Sequence, residues 1–176
     1  MKLCKKHTIA TISLFFIIII SCRKPSETAN FKINLDVIIT KDDSIHTYYT
    51  TDGTIDFNGE NSFWTKVKGS KKNQEITINF PKNVLPNQFR LDIGNTLLQD
   101  DIVLNKVELK YQKKKLVLKG KKIYEILRVD VNNTLLDKDI GLLIRKNKKN
   151  NNGPSLYPNG DYLRLQLEKF KNKQNN

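Results

Sequence analysis

Seven stretches of this chain place an apolar residue at every second position, and that period constrains the fold more than any other feature. In FKINLDVIIT, Phe31, Ile33, Leu35, Val37 and Ile39 alternate with mostly polar neighbours. Side chains of a β-strand point to opposite faces in turn, so the pattern predicts a strand buried on one side. The period recurs at Ile76, Ile78 and Phe80, at Phe89, Leu91 and Ile93, and at Val107, Leu109 and Tyr111. It returns at Leu127, Val129 and Val131, at Ile140, Leu142 and Ile144, and at Leu163, Leu165 and Leu167. Weaker strands are expected over 45–50, 63–68 and 116–118. No window of a dozen residues carries a helical stripe.

Turn chemistry separates these stretches. Asp52-Gly53 and Asn58-Gly59 favour positive φ, and loops are expected at 69–73, 80–87 and 151–161. Short alternating strands with turns every 8 to 12 residues predict an all-β, antiparallel β-sandwich or barrel. The domain is expected over residues 31–170.

The segment FRLDIGNTLLQDDIVL at 89–104 returns 38 residues later as LRVDVNNTLLDKDIGL at 127–142, with nine of sixteen positions identical. Arg90 and Asp92 share one strand face, as do Arg128 and Asp130. Residues two apart on a strand are about 7 Å apart, so each Arg can reach its Asp. Two hairpins with an exposed ion pair each explain the pattern, and such pairs contribute about 0–1 kcal/mol. A true duplication and a ligand site used twice are the alternatives. In the last, the planar Arg fork and the carboxylate would grip sugar hydroxyls.

Residues 75–111 resemble part of a carbohydrate-binding-module-like, or galactose-binding-like, β-sandwich. The resemblance rests on Pro81 after an apolar strand, then the Arg90-x-Asp92 strand, then Val107 and Leu109 ending another. Ile93 stands where that outline has a proline. The resemblance implies a jelly-roll-like sandwich and a glycan role.

The N-terminus reads as an address. Lys2, Lys5 and Lys6 precede an apolar run from Ile9 to Ile20, and Ser21-Cys22 closes it. That order is a secretory signal. The run is too short to favour spanning, which takes about 20 apolar residues. Ile19-Ile20-Ser21-Cys22 resembles the lipobox of bacterial lipoproteins. The resemblance implies a signal over 1–21, diacylation and palmitate-type acylation at Cys22, and a lipid-anchored cell-envelope protein. Arg23 in place of Asp favours the outer membrane. Residues 22–30 then form the lipidated Cys and tether, and 171–176 a disordered basic tail.

Without the signal, 28 basic residues face 18 acidic ones, a net charge of +10. Lysine runs at 113–115, 119–122, 146–149 and 169–173 could meet lipopolysaccharide or another polyanion. Mixed with asparagines at turn-like places, they read first as a solvated surface, and nucleic acid is not expected as a partner.

Catalysis is not expected. There is no G-x-S-x-G elbow and no phosphate-cradling loop. His46 is the one histidine after the signal and reads as a strand histidine with Tyr48 beside it. No cofactor is expected. The acids at 42–43, 100–101, 137 and 139 lack the spacing of a defined calcium loop, leaving a structural calcium as a weak alternative. Aromatics are the remaining lead. Tyr48, Trp64 and Tyr157 could stack on sugar faces, with Arg90 and Asp92 beside them. Either Trp64 plugs the core and Phe63 faces out, or the reverse. Tyr157 is expected as an exposed loop ring. The expected function is therefore a glycan-binding envelope lipoprotein. The alternatives are a lipoprotein docking on another envelope protein, and electrostatic contact with lipopolysaccharide.

Overall fold

A computed structural model describes residues 30–149 and 153–171. Cys22, the signal, most of the tether and residues 172–176 lie outside the described residues.

The chain forms two antiparallel sheets packed as a β-sandwich. Strands β1 (Lys32–Ile38), β4 (Gln74–Asn79), β6 (Ile102–Tyr111), β9 (Thr134–Asp137) and β10 (Leu142–Arg145) lie in sheet A in the order β4-β1-β6-β10-β9. β7 (Lys114–Lys119) joins the same sheet as a hairpin partner of β6, alongside its second half. Sheet B holds β2 (Asp43–Thr50), β3 (Ser62–Val67), β5 (Gln88–Ile93), β8 (Leu127–Val129) and β11 (Ser155–Pro158) in the order β3-β2-β5-β11-β8.

The alternating residues fill the space between the sheets. Phe31, Ile33, Leu35, Val37 and Ile39 of the first stretch are all fully buried, as are Phe89, Leu91 and Ile93. Phe31 meets the Phe80 ring edge-on at 4.9 Å, and Phe63 meets Phe80 at 5.2 Å. Such aromatic pairs add about 0.5–1.5 kcal/mol each beyond area burial.

Four expectations need correction. After a single-turn helix, α1 (Ile123–Ile126), the Leu163/Leu165/Leu167 stretch forms a second helix, α2 (Tyr162–Lys171). Leu163, Leu167 and Phe170 are buried while Leu165 faces solvent. That is an i, i+4, i+7 stripe, which coincides with a period of two at its first and third leucines. Arg164 ties the helix surface to Asp161 and Glu168, and Phe170 packs on Phe31.

The 151–161 loop contains β11, a strand inside sheet B between β5 and β8. Four residues that follow Gly153 and Pro154 and end in Pro158 are too few to show a period. Pro158 is tolerated because it ends the strand. Gly153 lies against the carbonyls of Ile93 and Gly94, where a Cβ would overlap both.

β10 has the opposite phase to the one expected. Leu143 and Arg145 point inward, and Ile140 is 58% exposed in the preceding turn. Val131 also leaves its strand, in the turn after β8. The inward Arg145 donates to the carbonyls of Gly94 and Thr96, so a buried guanidinium satisfies a loop that crosses the end of the sandwich. Hydrophobic spacing cannot report such a polar contact.

The repeated segments are not hairpins. In each, a sheet B strand (β5 or β8) leads through a turn into a sheet A strand (β6 or β9) that it does not pair with. Both are arches between the sheets. β5 and β8 flank β11 from either side, and both run antiparallel to it.

Candidate functional site

The outer face of sheet B gathers all five residues singled out from the sequence. On β2, Ile45 and Thr47 point inward, which turns His46 and Tyr48 outward. On β5, Phe89 and Leu91 point inward, which turns Arg90 and Asp92 outward. The ladder then sets residues side by side. His46 faces Trp64 on one side and Asp92 on the other, and Tyr48 faces Arg90. Across β11, Ser155 faces Asp92 and Tyr157 faces Arg128.

Trp64 is 55% exposed, and Phe63 takes the core position beside Phe80, so Trp64 does not plug the core. The imidazole of His46 stacks on the indole at 3.9 Å and 16° and lies 4.0 Å from the Tyr48 ring. The Arg90 guanidinium sits 4.9 Å from the Tyr48 ring centre and 4.5 Å from that of Tyr157. Arg128 approaches the same Tyr157 ring at 5.2 Å. Tyr157 is therefore a half-buried strand residue between two guanidiniums, not an exposed loop ring. A continuous ladder of rings and cations runs from β3 to β8.

The two repeats converge here, and they differ. Arg90 donates to both oxygens of Asp92, at 2.8 and 2.7 Å. Burial alone would lower the Arg90 pKa; the hydrogen bonds and charge of Asp92 outweigh it and hold the guanidinium above its usual value. Arg128 makes no such pair. Asp130 instead accepts from the Asn132 amide at 3.0 Å and shapes the turn. A polar cleft of about 120 Å³ lies between the copies, lined by Arg90, Asp92 and Asn95 from one and by Asp130 and Asn133 from the other, with Ser155 between. The two similar segments thus line one shared cleft.

Desolvation dominates the shifts of the other ladder groups. It lowers the His46 pKa and raises those of Tyr48 and Tyr157, so all three are neutral at pH 7. His46 Nε2 lies 3.0 Å from the Ser62 hydroxyl, a nucleophile–base distance. That hydroxyl also donates to the Gly59 carbonyl at 2.8 Å, while Asp92, which would have to orient the imidazole, is held by Arg90. The contact links β2 to β3.

Of the acids considered for calcium, Asp42, Asp43, Asp100, Asp137 and Asp139 have other partners. Asp42 binds Lys68 and the Gly69 amide. Asp43 Oδ1 accepts from the amides of Ser44, Asn95 and Thr96. Asp100 accepts from Thr40, and Asp139 pairs with Lys121. Among the described residues no three His, Cys, Asp or Glu side chains converge as a metal site, and no helix is long and apolar enough to cross a membrane.

Comparison of the chain with protein-family models, curated proteins and solved structures finds no match.

Proposed function

We propose that this protein is a lipid-anchored envelope protein that binds glycan, without catalysis, on the outer face of sheet B. The observation that carries the reading is the ladder itself. Trp64, His46, Tyr48, Arg90, Tyr157 and Arg128 form one unbroken surface that the core does not require. Trp64 stands on the edge strand β3 with one face against His46. Its other face is the platform for the apolar side of a pyranose. Tyr48, the Arg90–Asp92 pair and the cleft beside them supply donors and acceptors for hydroxyls. Each oxygen of Asp92 accepts one bond from Arg90 and keeps a lone pair for another. Neutral rings with an internally paired Arg and Asp suit an uncharged sugar better than an ionic one.

The anchor is the lipobox cysteine, Cys22. Several acyl chains at one terminus hold a protein on a bilayer where a single chain would not. Loss of labelled-palmitate incorporation in Cys22→Ala is the expected result, and unchanged incorporation would sink this part of the reading.

The binding test is a glycan array probed with the chain from Lys24 to Asn176, which holds every described strand and the whole core. Binding to a neutral glycan that persists at physiological salt, and is lost in Trp64→Ala, is expected. Binding only to acidic glycans, removed by salt, would transfer recognition to the lysine runs. No binding would reject the glycan reading in favour of docking on another envelope protein.

A further inference from the structure

Beyond the end of the ladder, which it meets at Arg128, the sandwich has an open seam. β8 is an edge of sheet B and β9 an edge of sheet A, and the chain passes between them through residues 130–133. A cavity of about 500 Å³ lies along this seam, lined by residues of β8, of β9 and of the turn that joins them. Its apolar wall is Val129, Val131, Leu135 and Leu136. Val131 is 65% and Leu135 51% exposed, so apolar surface faces solvent along the seam. Arg128, Lys138 and Lys146 also line it, and none of its lining side chains is acidic.

We infer that this seam is a binding site for a single-chain amphiphile with a carboxylate head, of the fatty-acid class. The volume falls within the range of roughly 300–1,000 Å³ typical of small-molecule sites. Apolar contact along the seam removes the alkyl chain and the exposed Val131 and Leu135 from water together. The three cations complement one anionic head. Lys146 is already positioned, since its ammonium donates to the Val131 carbonyl. A peptide strand fits less well. β8 and β9 offer three and four residues, and edges so short are poor templates for strand addition.

The test is calorimetric titration of the Lys24–Asn176 chain with dodecanoate, below its micellar concentration. One saturable site per chain is expected, with octanoate weaker and dodecyltrimethylammonium weaker than dodecanoate by at least tenfold. Leu135→Glu, and separately Lys138→Glu with Lys146→Glu, should each weaken dodecanoate by at least tenfold. Trp64→Ala should leave it unchanged, which separates this site from the glycan reading. All of these side chains are solvent-exposed, so the variants should fold. In the unaltered chain, methyl NMR shifts on titration should centre on Val129, Val131, Leu135 and Leu136, whatever the fate of the variants. No saturable binding, equal affinity for the cationic amphiphile, or methyl shifts elsewhere would overturn the inference.

Discussion

Arg90 is the pivot of the sheet B face, and Arg90→Met tests how its energy is distributed. The substitution keeps an unbranched apolar stem and removes the charge. Breaking a fully buried ion pair from one side costs about 3–5 kcal/mol, because the other charge is stranded. Here the Arg90 and Asp92 side chains are 24% and 12% exposed, so solvent screens part of that, leaving about 2 kcal/mol. Loss of the two guanidinium–ring contacts, at 4.9 and 4.5 Å, adds about 1 kcal/mol at partly exposed sites. The total is about 3 kcal/mol. A domain of this size loses roughly 2–4 °C per kcal/mol, so the Tm should fall by roughly 6–12 °C. Urea denaturation gives the free energy and the thermal melt gives the Tm. The diagnostic step is the second substitution. Asp92→Asn on the Arg90→Met background removes the stranded charge and should recover about 1–2 kcal/mol. A loss below about 1 kcal/mol, the value of a solvated surface pair, would refute the reasoning. So would a double variant no more stable than the single one.

Four further outcomes follow from the same geometry. His46 has a folded-state pKa below its unfolded value, so the unfolded chain takes up its proton first as pH falls. Stability from this group is therefore complete above about pH 6.5 and is lost as the pH drops toward the folded pKa; the pH 7-to-5 slope in urea melts of the Lys24–Asn176 chain should flatten in His46→Gln. Tyr124 carries a buried hydroxyl with no hydrogen-bond partner among the described residues and a pKa pushed up to about 12 by burial, so Tyr124→Phe should stabilise by about 1 kcal/mol in the same assay. Gly153→Ala drives a methyl into the Gly94 carbonyl and should cost about 3 kcal/mol or more, with dispersed amide shifts near Ile93. Leu167→Ala empties the fully buried centre of the α2 stripe and should cost about 2–5 kcal/mol, seen as an earlier urea midpoint.

The sheet arrangement corrects the natural reading of the repeat, and the reason is instructive. Identity at Arg90/Arg128, Asp92/Asp130 and Asn95/Asn133 suggests equivalent hairpins. In the fold, Ile102 is fully buried while its counterpart Ile140 is exposed. The copies share their first strand, then part company: residues 134–137 are the edge strand β9 where the aligned residues 96–99 form a turn, and Ile102 opens the ten-residue central strand β6 where Ile140 lies in the turn before β10. Position in the sheet, not local sequence, sets the burial of each second half.

The sequence by itself determined the two-sheet class, most strands and the inward residues of β1, β4, β5 and β6, since a period of two has one structural meaning when it runs long enough. It also named Tyr48, Trp64, Arg90, Asp92 and Tyr157 by chemical type. Tertiary structure alone decided that these five lie on one face. Trp64, Tyr48, Arg90 and Tyr157 come from four strands, and their neighbours are set by sheet order and register, which are long-range pairings with no local signature. It likewise placed Arg128 and His46 in the ladder, put Arg145 inside, made 162–171 a helix and opened the seam between β8 and β9. Leu163 and Leu167, four apart, satisfy either period over so short a span, and only the core surface awaiting Leu163, Leu167 and Phe170 settles which one the chain adopts.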